Sequence, residues 1–161
     1  MESVFESERI RFVKVSLELV PDYLAMVNDI DNVARFISDR LEPYSEEEEI
    51  SYIREKIDSG ATMFSMLEKS TDKFIGNVEF FNIKDKEAEW GIAITGPMQD
   101  KGYGKEALLR MTDYGFKDLG FERITLVVFA NNPRAYHVYE KCGFKEYDRN
   151  DVDVFMEIRK A

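Results

Sequence analysis

The stretch Gln99-Asp100-Lys101-Gly102-Tyr103-Gly104-Lys105-Glu106-Ala107 has the make-up of an anion cradle. It follows a β-like run, Glu89 to Thr95, and opens a helical pattern that continues from Gly102 to Leu119. Glycines at a strand-to-helix junction let a ligand approach bare backbone. The first amides of a helix lack internal partners and lie at the positive end of its dipole. Together these properties suit an anion, above all a pyrophosphate. A second stretch is Asn131-Asn132-Pro133-Arg134-Ala135-Tyr136-His137-Val138-Tyr139-Glu140-Lys141-Cys142-Gly143-Phe144. It sets a tyrosine on a short helical pattern that a glycine ends. Ala135, Val138, Tyr139 and Cys142 share one face there, which by itself reads as packing.

Gly102 to Ala107 also satisfies the dinucleotide string G-x-G-x-x-A. The context argues against an NAD(P)-binding Rossmann use. That fingerprint turn follows its strand at once, whereas Thr95 to Asp100 intervene here. The next strand runs into Asn131 and Asn132, not into an acidic residue that would hold a ribose. The strands before the loop form a meander rather than βαβ units. The phosphate-loop string G-x-x-x-x-G-K fails too, because Lys101 stands where its second glycine belongs.

The elements that must position these stretches follow from periodicity. Ile10 to Val15 alternates as a strand, and Leu17 to Asn28 reads as a helix with Pro21 in its first turn. Asn32 to Ser38 reads as a short helical piece. Pro43 interrupts before a Ser45–Ser59 helix, where Ser45 and Glu48 make a capping box. The acidic block Glu46 to Glu49 then suits a helix start rather than a metal or partner site. Ile50, Ile53 and Ile57 recur at helical spacing, and Gly60 ends the helix. Thr62–Leu67, Phe74–Ile83 and Glu87–Thr95 read as successive strands with short polar turns, hence an antiparallel meander. The Gly102–Leu119 helix carries Leu108, Met111, Gly115 and Leu119 on one face, with Gly120 as its stop. Then come a β-branched strand Arg123–Ala130, a helix Asn132–Lys141 and strands Phe144–Tyr147 and Val152–Ile158. The order β-α-α-β-β-β-α-β-α-β-β predicts an α/β fold. Its centre is a single mixed, mostly antiparallel sheet flanked by helices.

Composition bounds the function. A chain of 161 residues, 44% hydrophobic and 34% charged, reads as one soluble domain spanning 1–161. No apolar run approaches the roughly 20 residues of a membrane helix. The acidic start Met1-Glu2-Ser3-Val4-Phe5-Glu6 lacks a signal-peptide profile. A single cysteine, Cys142, fits a reducing, cytoplasmic setting, and a single histidine, His137, argues against a zinc site. Net charge of −10 argues against nucleic acid as a partner and suits a cationic substrate such as an amine or polyamine. An acidic surface also serves solubility.

The two opening stretches together resemble the acetyl-CoA-binding core of the GNAT family of N-acetyltransferases. Gln-x-x-Gly-x-Gly, here Gln99 to Gly104, is similar to that family's pyrophosphate loop. Asn-x-x-Ala…Tyr-x-x-x-Gly-Phe, here Asn132 to Phe144, is similar to its helix before the last strands. The order of elements agrees over nearly the whole chain. Glu8-Arg9-Ile10-Arg11-Phe12 resembles the branch with ribosomal-protein N-terminal acetyltransferases, and the second motif equally resembles spermidine acetyltransferases.

The resemblance implies acetyl-CoA as co-substrate, no metal, and direct acetyl transfer to a primary amine. The amine would be a protein N-terminus, a polyamine or another small amine. A homodimer is left open, and a non-catalytic acyl-CoA sensor is the alternative class. Cofactor contacts are implied at Ile92, Ala93, Ile94, Gln99, Lys101, Gly102, Tyr103, Gly104, Lys105, Asn132, Ala135 and Tyr139. Tyr139 matches the tyrosine whose hydroxyl faces the CoA sulfur, and so becomes the general acid. Amines are mostly protonated at neutral pH, so a carboxylate base is expected, direct or through water. Glu89 is the favoured base and Glu79, one strand earlier, the other candidate. Cys142 lies at a helix C-terminus, where the dipole disfavours a thiolate. Trp90, Phe80 and Phe81 could line an acceptor pocket or simply pack.

Overall fold

The computed structural model describes residues 1–37 and 40–161. Its strands are β1 (Ser3–Glu6), β2 (Ile10–Lys14), β3 (Thr62–Glu68), β4 (Phe74–Lys84), β5 (Glu87–Ile94), β6 (Arg123–Phe129), β7 (Lys145–Arg149) and β8 (Asp153–Arg159). Its helices are α1 (Val20–Val27), α2 (Arg35–Ile37), α3 (Glu46–Asp58), α4 (Tyr103–Lys117) and α5 (Pro133–Lys141). The strands form one sheet in the order β1-β2-β3-β4-β5-β6-β8-β7. Pairs β1/β2, β2/β3, β6/β8 and β7/β8 are antiparallel, and β5 runs parallel to β6. This is the mixed, mostly antiparallel sheet that the element order predicts.

The departures from expectation have local causes. β1 escapes the periodicity because it is four residues long and buries only Phe5. The Leu17–Asn28 segment begins as a 3-10 turn, Leu17–Leu19, capped by Ser16 before Pro21 lets α1 start. The Asn32–Ser38 piece is a π-helical turn, Ile30–Ala34, followed by α2; Ser38 lies outside the described residues. Leu119 leaves the apolar face of the following helix. α4 has ended by then, with the Tyr114 carbonyl taking both Asp118 N–H and Leu119 N–H, and Leu119 is exposed. β7 is exposed along its whole length and forms the sheet edge beyond β8.

Two compact units make up the chain: residues 1–79 with 92–104, and residues 80–91 with 105–161. In the first, Val13, Val20, Tyr23, Met26, Val33, Ile53, Leu67 and Phe74 form a buried cluster that binds α1 and α3 to the sheet. One polar chain runs through it. Tyr23 Oη lies 2.6 Å from Ser65 Oγ, and Ser65 Oγ lies 2.8 Å from Asn77 Oδ1, so these buried groups satisfy one another. In the second unit, Leu108 and Met111 of α4 are fully buried. Gly115 of the same helix lets Phe80, Phe121 and Ile124 close in, since a Cβ there would meet each at 3.0–3.1 Å.

The start of α3 is built as its sequence implies. Glu48 N–H donates to Ser45 Oγ at 3.1 Å, and Ser45 N–H donates to Glu48 Oε1 at 3.1 Å. Arg40 adds a fork onto the same carboxylate at 2.7 and 3.1 Å. That fork, then the Ser45 amide, holds the Glu48 carboxyl down at about 2. Ser45→Ala is expected to cost about 1 kcal/mol, read as a lower urea midpoint at unchanged slope. Glu48 has a depressed folded pKa, so its contribution is present above 4.5 and is lost as pH falls from 4.5 toward about 2. The midpoint gap between the parent and Glu48→Gln should close across that window. A gap independent of pH would show that the Glu48 charge contributes nothing.

Candidate cofactor loop and acid–base site

In the first unit the loop before α4 turns through two left-handed residues, Asp100 at φ 60° and Gly102 at φ 83°. Three side chains hold it. Gln99 Nε2 donates to the Asn32 and Ile94 carbonyls, both at 2.9 Å. Arg9 Nη1 donates to the Lys101 carbonyl at 2.9 Å, and its Cζ lies 4.3 Å from the centre of the Tyr103 ring. Tyr103 is buried and donates its hydroxyl to the Glu68 carboxylate. That bond, with a second from Thr71, holds the Glu68 carboxyl below its usual range. Gln99 and Tyr103 therefore turn their side chains inward, and what they offer a ligand is a fixed backbone. Lys101 and Lys105 are exposed.

Gly104 is informative because the fold does not require it. A Cβ there would meet only Ile94 Cδ1, at an ordinary 3.6 Å. Glycine in a helix costs about 1 kcal/mol relative to alanine. Gly76 is the contrast: its Cβ would lie 2.0 Å from the Ala93 carbonyl oxygen, so strand packing demands it. A glycine that packing would exchange for alanine, in the first turn of α4, leaves a bare backbone surface of the kind a phosphate needs. Ile92, Ala93 and Ile94 lie half-buried at the end of β5. The β5/β6 ladder ends at Glu89↔Thr125, whereas β6 stays paired with β8 as far as Phe129↔Asp153.

In the second unit Asn132 caps α5, its Oδ1 accepting the Ala135 amide at 3.2 Å, with Pro133 opening the helix. Tyr139 then meets Trp90 edge to face, with ring centres 6.1 Å apart and planes at 84°. Burial pushes the Tyr139 phenol above its ordinary 10, and Cys142 adds to the shift. Trp90 is buried, and its Nε1 has no hydrogen-bond partner among the described residues. Burial also raises the Cys142 thiol, which keeps it protonated as core packing. His137 is exposed beside Glu140.

The two candidate bases sit in different surroundings. Glu79 is ion-paired with Lys56 Nζ at 3.0 Å. Glu89 receives one neutral donor, Asn82 Nδ2 at 3.2 Å, from a residue in the left-handed region at φ 50°. Glu89 thus keeps lone pairs for a proton, and Glu79 is committed. Tyr139 is brought against Trp90, the chain neighbour of Glu89; no hydrogen bond joins Tyr139 to Glu89 among the described residues. Asn82 carries little sequence signal beyond being an asparagine inside a strand pattern, and the Glu68 end of the loop clamp carries none.

A further feature of the first unit is a cavity of about 360 Å³ lined by Val27, Ala34, Ile37, Tyr44, Glu48, Glu49 and Tyr52. Glu49 is only 5% exposed, its carboxylate accepts no hydrogen bond among the described residues, and burial pushes its carboxyl up. A buried carboxylate without a partner stands against the usual rule for charges. Among the described residues no His, Cys, Asp or Glu side chains cluster as metal ligands, and no helix is long and apolar enough to cross a membrane.

The acetyltransferase (GNAT) domain family matches residues 9–145, which takes in the loop clamp, both carboxylates and all of α5. The chain belongs to the GNAT family. Spermidine N(1)-acetyltransferase of Vibrio cholerae is 35% identical over 108 residues, a match spanning 65% of this chain and 62% of that relative's length. The Escherichia coli K12 enzyme of the same name is 30% identical over 124 residues, 75% of this chain and 67% of the relative. The crystal structure of the Vibrio spermidine N-acetyltransferase with CoA and spermine superposes with a TM-score of 0.85 at 24% identity. It covers 95% of this chain and 96% of that one, so the GNAT fold extends over nearly the whole molecule.

Gly104→Ala should leave the melting temperature unchanged or raise it, by up to about 1 kcal/mol of added stability. Gly76→Ala should lower it sharply, since backbone must move. A Gly104→Ala variant as damaged as Gly76→Ala would show that packing, not a ligand, explains this glycine.

Proposed function

We propose that this chain acts as a single N-acetyltransferase domain over residues 1–161, transferring acetyl from acetyl-CoA directly to a primary amine of a small cationic molecule. The observation that carries the reading is Gly104: a bare helix start that packing does not explain, on a loop held by Arg9 and Gln99. In this reading the amides from Lys101 to Lys105 take the pyrophosphate, with the Lys101 and Lys105 ammonium groups adding charge. Ile92, Ala93 and Ile94 take the pantetheine as a strand-like partner, which the short β5/β6 ladder favours. Asn132 and Ala135 are the α5 residues assigned to the cofactor, and their mutual hydrogen bond fixes the start of that helix.

Acetyl-CoA supplies the acyl group as an activated thioester. Glu89 takes the amine's proton, directly or through water, and makes the nitrogen a nucleophile. Tyr139 donates to the sulfur as the C–S bond breaks, so the products are the N-acetyl amine and the free thiol. Its raised phenol stays protonated across the working pH range. The Glu49 cavity supports a cationic acceptor. A carboxylate among Val27, Ile37 and two tyrosines fits an ammonium group on an aliphatic stem. The Vibrio relative, whose solved complex contains spermine, supports the same class.

Free-thiol release from acetyl-CoA with a panel of amines tests the reading. Cationic aliphatic amines are expected to react, with neutral and anionic ones poor. CoA binding without thiol release for any amine would favour a sensor instead. Gly104→Val should abolish CoA binding without unfolding the protein. Tyr139→Phe should lower kcat by roughly 10²-fold at normal melting temperature and near-normal CoA affinity. Normal turnover in that variant would remove Tyr139 from the mechanism. Glu49→Gln should raise KM for cationic amines about tenfold and leave CoA binding alone; an unchanged KM would separate the cavity from acceptor binding.

A further inference from the structure

Arg9 stands just before β2, where its own carbonyl accepts the Lys69 amide at 2.9 Å and fixes its backbone to the sheet. Its side chain does three things at once. It donates to the Lys101 carbonyl, lies over the Tyr103 ring, and reaches to within 3.3 Å of where a Cβ on Gly102 would be. The Tyr103 ring is in turn held by its hydroxyl on Glu68. The guanidinium is thus seated on a fixed platform and grips one peptide of the loop, the one between Lys101 and Gly102.

The consequence follows from peptide geometry. In a planar trans peptide the carbonyl and the following N–H point in opposite directions. Gripping the Lys101 carbonyl toward Arg9 turns the Gly102 N–H away from Arg9. Gly102, at φ 83°, has no Cβ to resist that setting and is the residue type that adopts it freely. Left without the grip, a loop with two left-handed residues has other peptide orientations within reach. We propose that Arg9 is a positioning residue for the acetyl-CoA pyrophosphate: it orients the 101–102 peptide so that its amide is presented to the anion before binding. The proposal rests on the cofactor reading of the loop given above. Arg9 acts through the backbone and needs no contact with the phosphate. Preorganisation of this kind shows as affinity for the nucleotide part of the cofactor and not as chemistry at the thioester.

The test compares parent, Arg9→Met and Arg9→Lys with three thioesters: acetyl-CoA, acetyl-dephospho-CoA lacking the 3′-phosphate, and S-acetylpantetheine lacking the pyrophosphate. Arg9→Met is expected to raise Kd and KM for the first two about tenfold, the scale of a lost charged hydrogen bond. It should leave kcat at saturation and the amine KM unchanged. With S-acetylpantetheine, kcat/KM should match the parent. Arg9→Lys retains the charge and a donor and should give the same ordering at smaller amplitude; it serves where the Met variant is unstable. An effect that vanishes with acetyl-dephospho-CoA would mean a direct 3′-phosphate contact and overturn the proposal. An equal loss with all three thioesters, or a fall in melting temperature of matching size, would mean a structural role and overturn it too. Failure of the parent to bind CoA would remove the cofactor reading itself, and this proposal with it.

Discussion

In the proposed cofactor reading, the loop before α4 must keep its backbone turned to a ligand and yet hold one shape. An isolated helix start would satisfy its first amides with a capping side chain, as Ser45 does for α3. Gly102 stands just before α4 and has no side chain to cap it, and the loop there turns through two left-handed residues, Asp100 and Gly102. Order has to come from outside the loop. Gln99 ties it to the Asn32 and Ile94 carbonyls, and Arg9 with Tyr103 and Glu68 ties it to the ends of β2 and β3. The first unit can then be understood as a frame whose strand ends and α1–α2 connection meet at this loop.

The same unit contains buried polar groups of two opposite kinds. Tyr23, Ser65 and Asn77 form a closed chain in which each hydroxyl or amide answers another, so their burial costs little and fixes the packing of α1. Glu49 answers to nothing among the described residues, and burial alone pushes its pKa up. Burial of that kind favours the neutral acid or a cation alongside. Its neighbour Glu48 shows the alternative outcome, an exposed carboxylate taken by Arg40 and a helix cap. Consecutive glutamates in one helix turn thus differ: both line the cavity, but Glu48 is held by Arg40 and the helix cap, whereas the Glu49 carboxylate has no such bond among the described residues.

What the sequence made legible were features carried by local pattern. The capping box at Ser45, the α4 and α5 ranges, the meander and the order of elements follow from periodicity and turn chemistry, and they came out within a residue or two. The loop and the α5 motif were legible because glycine spacing and helix start coincide. What stayed hidden depends on long-range contact. Arg9 and Lys101 are 92 positions apart, and nothing in either neighbourhood announces the bond between them. Glu49 sits in a run of four glutamates that reads as a helix start, which holds for all four, and nothing in the run marks the one that turns inward. β1 was missed because four residues carry too little alternation to register.

The pairing of Tyr139 with a low-polarity surrounding limits what its hydroxyl can do in the proposed transfer. A phenol has pKa about 10 and a thiol about 8.5, so complete proton transfer from tyrosine to thiolate is uphill by about 2 kcal/mol in water. Burial raises the Tyr139 phenol further, and Trp90 and Cys142 offer no charge that would stabilise a tyrosinate. A thiolate leaving into the same surroundings is disfavoured for the same reason, so the two effects largely cancel and the intrinsic gap persists. Tyr139 therefore works best as a hydrogen-bond donor that follows the charge on the departing sulfur, with the proton passing fully only as the thiol takes its final form. A charge-assisted hydrogen bond is worth about 1.5–3 kcal/mol, or roughly one to two powers of ten in rate. In the proposed transfer burial then has a use on the return step, because a tyrosinate in that setting is driven to take its proton back.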